Sequence, residues 1–140
     1  MIHNIVKIFL LFLLIKIEIF NADARRCVFA DEKVHIINRL PSNSSRLKVH
    51  CQSKDDDLGY HILKPNDDYN WSFCDNIFAT SLFFCHLWWG KKDIAFDAFK
   101  ARWFEGERDQ VYWVAKKDGI YYTDVRPIEG FLEKKFNWKK

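Results

Sequence analysis

The 140-residue sequence predicts an all-β fold: a small, disulfide-stapled antiparallel β-sandwich of about seven to eight strands. Three observations predict it. Short apolar or alternating runs recur from residue 34 to residue 123, separated by polar turn clusters. Aromatic residues, frequent at 13 Phe, 6 Trp and 5 Tyr, supply much of the buried area that a core of this size needs. Four cysteines follow an N-terminal segment that reads as an export signal, and export leads to an oxidising compartment.

The export signal is the first element. Residues 5–20 read IVKIFLLFLLIKIEIF, but the uninterrupted apolar stretch is only 8–15, followed by Lys16 and Glu18. A membrane-spanning helix needs about 20 predominantly apolar residues, so the stretch fits a signal-peptide core instead. Lys7 supplies the basic flank, and Ala22, Asp23 and Ala24 match the small-x-small cleavage pattern. The expectation is a signal peptide over 1–24 and a single domain over 25–140. No second apolar run is present, so no membrane span is expected.

The strands follow in order. Residues 34–40 (VHIINRL) open the series, then 47–51 (LKVHC) place Leu47, Val49 and Cys51 on one face. In 59–63 (GYHIL) Tyr60 and Ile62 share a face, and in 69–73 Trp71 and Phe73 do. Residues 81–89 (SLFFCHLWW) are apolar on both faces, as in a central strand. Residues 94–103 are the one place where a helix competes, because Phe96, Phe99 and Trp103 have helical spacing. A strand is preferred there, since a lone helix would have to pack on an otherwise β chain. Residues 111–115 alternate through Trp113, and 120–123 close the series. The turn clusters are 41–45, 53–59, 64–68, 90–93, 106–109 and 116–119, and Asp118 with Gly119 is a hairpin signal. The basic stretch 133–140 is expected to fray.

Cys27, Cys51, Cys74 and Cys85 all lie beyond the signal, so two disulfides are expected, with three possible pairings. Zinc is disfavoured, because there is no C-x-x-C and neither His50 beside Cys51 nor His86 beside Cys85 has ligand spacing. Asn43 (before Ser44 and Ser45) and Asn70 (before Trp71 and Ser72) are N-glycosylation acceptors in an exported chain. Asn43 sits in a turn, whereas Asn70 runs into an apolar segment where occupancy is less expected. A net charge of +3 argues against a nucleic-acid partner.

Asp55, Asp56 and Asp57 form the most conspicuous polar cluster. Calcium loops alternate their ligands as D-x-D-x-D-G, which three consecutive carboxylates do not, so a turn or a partner contact is expected. Lys91 and Lys92 form a second candidate contact on another loop. His35, His50, His61 and His86 sit in or beside strands, and no serine lies in a nucleophile elbow. No enzyme and no cofactor are expected. Trp71 and Trp113 read as core, while Trp88 and Trp89 point to opposite faces of a strand. An exposed Trp88 or Trp89 would suit carbohydrate stacking or a protein partner, and the aromatic, basic tail would suit an anionic cell-wall or membrane surface.

These segments carry a family resemblance. The run 34–38 resembles the opening strand, with its asparagine at Asn38, of the plant self-incompatibility S-protein homologues. LKVHC at 47–51 leading into SKDDDLG at 53–59 resembles their most specific signature. Tyr69, Trp71 and Phe73 resemble their Tyr-x-Trp-x-Phe strand; the run 82–85 with Trp88 or Trp89 resembles the next, and Trp113 with 118–121 the last hairpin. The resemblance covers 34–122. It implies a secreted β-sandwich acting as an extracellular recognition or signalling protein, a ligand for a cell-surface receptor. Where many members carry a Cys-x-x-Cys before the last-hairpin tryptophan, this chain has Arg108 and Val111, and its Cys27 and Cys74 lie outside the family pattern. A Cys51–Cys85 bridge remains compatible with the resemblance, both residues ending strands that pair in the family.

Overall fold

The structure is a computed structural model that describes residues 1–23, 27, 31–74, 81–101 and 110–140, with the helical backbone alone over 16–23. An N-terminal helix, α1 (Ile2–Asp23), is followed by nine strands: β1 (Asp31–Asn38), β2 (Leu47–Gln52), β3 (Asp57–Leu63), β4 (Asp68–Cys74), β5 (Leu82–Trp89), β6 (Lys92–Lys100), β7 (Gln110–Lys116), β8 (Gly119–Thr123) and β9 (Glu133–Phe136). All eight expected runs become strands, including 94–100, where the helical spacing competed. No helix among the described residues is long and apolar enough to cross a membrane. The expected turn at 106–109 and Trp103 lie outside the described residues.

Two sheets stack face to face, one of five strands in the order β4-β1-β7-β8-β9 and one of four in the order β3-β2-β5-β6. All pairings are antiparallel except β1 with β7, which run parallel. That pair departs from the purely antiparallel expectation. A parallel neighbour needs a long crossover, and here the whole four-stranded sheet lies between the two strands in sequence.

Period-two alternation places Val34 and Ile36 of β1, Val49 and Cys51 of β2, Leu87 of β5, Phe96 of β6 and Trp113 of β7 in one buried cluster between the sheets. Trp113 Nε1 donates to the Ala98 carbonyl across the core at 2.8 Å. Asn38 is buried at the end of β1. Its Nδ2 donates to the Leu63 carbonyl at 3.1 Å, and its Oδ1 accepts from the Leu40 amide at 2.9 Å. This asparagine therefore ties the five-stranded sheet to the last residue of β3.

Both disulfides form. Cys51 and Cys85 are direct cross-strand partners on the inner face of β2 and β5, and their sulfurs are bonded. Cys27 is bonded to Cys74 at the end of β4, an edge strand of the five-stranded sheet.

The expectation of a frayed tail is overturned, and with it the count of seven to eight strands. Glu133–Phe136 pairs with β8, and Phe136 and Trp138 pack on the core cluster. Trp138 Nε1 donates to the Lys116 carbonyl at 2.8 Å, and Asp93 and Lys139 exchange two backbone hydrogen bonds of 2.8 Å. The two aromatics supply the burial, while the lysines before and beyond them stay in water at the sheet edge. Gly119 is required at this junction: a Cβ there would run into the Phe136 carbonyl.

The outer faces of the two sheets differ. On the five-stranded sheet, Ile37, Tyr112 and Val114 form a second buried cluster, covered by Tyr121, Ile128 and Leu132. The chain thus folds its own segment after β8 over that face. No described segment covers the outer face of the four-stranded sheet in the same way, and Tyr60 and Ile62 stand there 60% and 53% exposed.

Candidate functional site

The uncovered face is built from three registered rows. Ile62, Lys48, Trp88 and Asp93 lie side by side across β3, β2, β5 and β6. Tyr60, His50, His86 and Ala95 form the next row, and Asp57, Gln52, Phe84 and Asp97 the third. Antiparallel neighbours have Cβ atoms about 5 Å apart, so each row is a line of touching side chains.

The central contacts are aromatic and cationic. His50 stacks on Tyr60 with ring centroids 4.2 Å apart, and His86 stacks on Trp88 at 3.9 Å. The Lys48 ammonium lies 4.7 Å from the Tyr60 ring centre and 5.3 Å from that of Trp88, which are cation–π distances. Carboxylates hold the two histidines from either side. His50 Nε2 is 2.7 Å from Asp57 Oδ1, and His86 Nε2 is 2.7 Å from Asp93 Oδ2. The Gly59 amide also donates to Asp57 at 2.9 Å. That amide first, and then His50, hold the Asp57 carboxyl below the usual carboxylate range. Asp57 is therefore an ionised acceptor, and the His50 nitrogen facing it donates.

β3 sets Leu58, His61 and Leu63 toward the core and Tyr60 and Ile62 toward solvent. His61 pairs with buried Val49 on the inner face, where it stacks on Tyr69 at 4.2 Å and donates to the Leu58 carbonyl at 2.7 Å. Tyr60 and Ile62 take the solvent face. The outer face thus presents exposed apolar and aromatic side chains at its β3 edge.

The expected contact residues divide. Asp55 and Asp56 are exposed in the β2–β3 turn, which is closed by a hydrogen bond from the Ser53 amide to the Asp56 carbonyl and one from the Asp56 amide to Ser53 Oγ. Asp57 alone joins the rows just described. Lys91 and Lys92 sit in the β5–β6 hairpin, next to the β2 end that begins at Leu47. The acidic turn lies beyond Gln52, so the two groups are separated by the length of β2, roughly 17 Å at 3.4 Å per residue. No group of three or more His, Cys, Asp or Glu side chains suited to a metal ion occurs among the described residues.

Trp88 and Trp89 do point to opposite faces. Trp88 belongs to the outer face, whereas Trp89 packs against the core, 5.6 Å from Trp138, and donates through Nε1 to Ser44 Oγ at 3.1 Å. Both sequon asparagines are exposed. Asn70 points outward because the alternation of β4 sends its apolar neighbours Tyr69 and Trp71 inward, so the apolar context that lowered its expected occupancy does not bury it. Lys48, Tyr60 and Ile62 were not legible as site residues. The alternation of LKVHC and GYHIL grouped them by face without telling which face met water.

Comparison with known proteins places this architecture. The family model for "Plant self-incompatibility protein S1" matches residues 33–138. Among curated relatives, S-protein homolog 24 of Arabidopsis thaliana is 36% identical over 99 residues, covering 70% of this chain and 65% of its own length. S-protein homolog 11 of the same plant is 42% identical over 91 residues, covering 59% of this chain and 62% of its own length. The chain thus spans somewhat less than two thirds of these relatives. A solved structure of a self-incompatibility protein homologue, described as one of a widespread family of small, highly stable, secreted plant proteins, superposes with a TM-score of 0.64 at 21% identity, over 81% of this chain and 98% of that one. The match over 33–138 takes in all nine strands but the first two residues of β1, and the chain belongs to the plant self-incompatibility protein S1 family.

Proposed function

We propose that the chain is exported, loses residues 1–24 and acts outside the cell as a recognition protein without catalytic activity, a ligand for a cell-surface receptor. Its contact surface is the outer face of the four-stranded sheet. The observation that carries this reading is the outward placement of Tyr60 and Ile62 beside Lys48 and Trp88 while His61 is turned inward. Aromatic anchors ringed by polar groups are the usual centre of a protein interface. Export is supported by the short apolar core of 8–15, by two disulfides that need an oxidising compartment, and by the description of the structural neighbour as secreted.

Labelled protein is expected to bind intact cells, and protease treatment of those cells to abolish binding. Binding that survives protease and is competed by a soluble sugar would favour the second reading, a carbohydrate-binding module. That reading uses Trp88, the tryptophan on the outer face, and predicts a glycan-array signal lost in Trp88→Ala. Silence on cells and on the array together would remove both readings.

A further inference from the structure

The loop end reached by β1, β3, β5 and β7 concentrates positive charge. Asn38 ends β1 opposite Ala115, Leu63 ends β3 opposite Leu47, and Trp89 ends β5 opposite Leu47, so their outgoing loops converge on one end of the sandwich. Arg46, Lys64, Lys91 and Lys117 are exposed there, and no hydrogen bond or ion pair engages their side chains among the described residues. The half-buried Lys92 and Lys116 place their ammonium groups over the rings of Trp89 and Tyr121, 5.3 and 4.7 Å from the ring centres. The acids at this end each have a partner: Asp67 accepts from the Lys64 amide, and Asp68 is met by His35, Asp93 by His86, Asp118 by Tyr121 and Glu129 by Arg39. The opposite end carries the acidic turn with Asp55 and Asp56.

Two hollows flank the 41–46 loop at this basic end and share Ser44 and Ser45 as a common wall. One, of about 420 Å³, is lined by Asn43, Trp89, Lys91 and Lys92 as well as these serines. The other, of about 290 Å³, adds Arg46, Lys64 and Pro65. Cations therefore line both hollows, with hydroxyl and amide groups between them. Charges spread over two adjoining hollows, rather than converging in one, fit an extended polyanion better than a single small anion. Serine and asparagine groups at sugar-hydroxyl reach, beside a half-buried tryptophan, fit a polysaccharide chain.

We infer that this end binds an acidic polysaccharide whose carboxylates meet Arg46, Lys64, Lys91 and Lys92 while its hydroxyls meet the 42–45 loop. The site is separate from the outer-face rows; it depends on the export reading only for where such a polymer would be met. The test is direct binding of the purified protein to immobilised polygalacturonate, with a neutral glucan and anionic phospholipid vesicles as the other arms. Native protein and Asn43→Gln are run together, because a glycan on Asn43 would sit on the hollow. Binding to polygalacturonate by either form, weakened at least about tenfold between about 0.05 and 0.5 M salt, is expected. The variant Arg46→Glu, Lys64→Glu, Lys91→Glu should lose at least about tenfold in affinity. Lys33→Glu, Lys54→Glu at the other end should retain affinity, and both variants should keep native circular dichroism. No binding by either form, equal loss in the two reversed variants, or binding to vesicles but not to polygalacturonate would overturn the inference. None of these outcomes depends on whether a receptor is found on cells.

Discussion

Tyr60 and His61 are adjacent on β3 and face opposite ways, the tyrosine 60% exposed and the histidine stacked inside on Tyr69. The arrangement follows from register. His61 is the partner of Val49, which is fully buried, so the pleat leaves Tyr60 and Ile62 outside. The same pleat keeps Leu63 buried on the inner face beside His61. The outward placement of Tyr60 and Ile62 leaves an aromatic and an aliphatic side chain open to solvent on the outer face.

Truncating that surface should therefore spare stability. Tyr60→Ala and Ile62→Ala are each expected to lower unfolding free energy by about 1 kcal/mol or less, mostly through lost cross-strand contacts. Urea denaturation of the two variants checks this, and a loss of 3 kcal/mol or more, on the order of a core truncation, would mark them as structural.

Asn38 should behave in the opposite way. Asn38→Ala strands the buried Leu63 carbonyl and Leu40 amide without partners, at about 1–3 kcal/mol each. Denaturation should show a loss of about 3 kcal/mol, against little change for Asn70→Ala on the exposed edge.

The two core tryptophans should separate. Trp113 Nε1 donates to the Ala98 carbonyl, whereas the buried Trp71 Nε1 meets no partner among the described residues. Trp113→Phe removes a satisfied bond and strands a carbonyl. Trp71→Phe removes a donor that gains nothing. The first should cost more by about 1–3 kcal/mol, read from paired denaturation midpoints.

The Cys51–Cys85 bridge closes a loop of 34 residues. The chain-entropy relation gives about 3–4 kcal/mol for such a loop. The Cys51→Ala, Cys85→Ala double variant should lose about that much, measured without reductant so that Cys27–Cys74 stays intact.

Acid should loosen the 53–59 turn in a defined window. Asp57 titrates below its ordinary value because the Gly59 amide and His50 stabilise its ionised form. Its contribution is complete above the unfolded-state value near 4 and fades as pH falls through the lower folded-state value. The stability difference between the native chain and Asp57→Asn should hold constant above about pH 4 and shrink below it. A gap that widens on acidification would contradict the assignment.

Much of this fold was legible because alternation is a local signal. LKVHC, YNWSF and VYWVA each declare a buried face. β9 was not legible, since EKKF shows one apolar residue among charges and reads as a solvated end; its pairing is imposed by the burial of Phe136 and Trp138. The parallel β1–β7 pair and the Cys51–Cys85 partnership depend on register between distant strands, which no local pattern encodes. The aspartate turn was found by its charge, but only Asp57 reaches the outer-face rows. Lys48 and Tyr60 remained hidden because a strand's sequence fixes which residues share a face, not which face water sees.

The most direct test of recognition through the outer face is quantitative binding of labelled protein to protease-sensitive sites on intact cells, comparing the native chain with Lys48→Glu, Tyr60→Ala, Ile62→Ala. A folded variant that loses at least tenfold in affinity, while Asn70→Ala on the other sheet binds as the native chain does, is the result expected from hot-spot residues at the centre of an interface. Native affinity in the triple variant, with its fold intact, would contradict the assignment of this face.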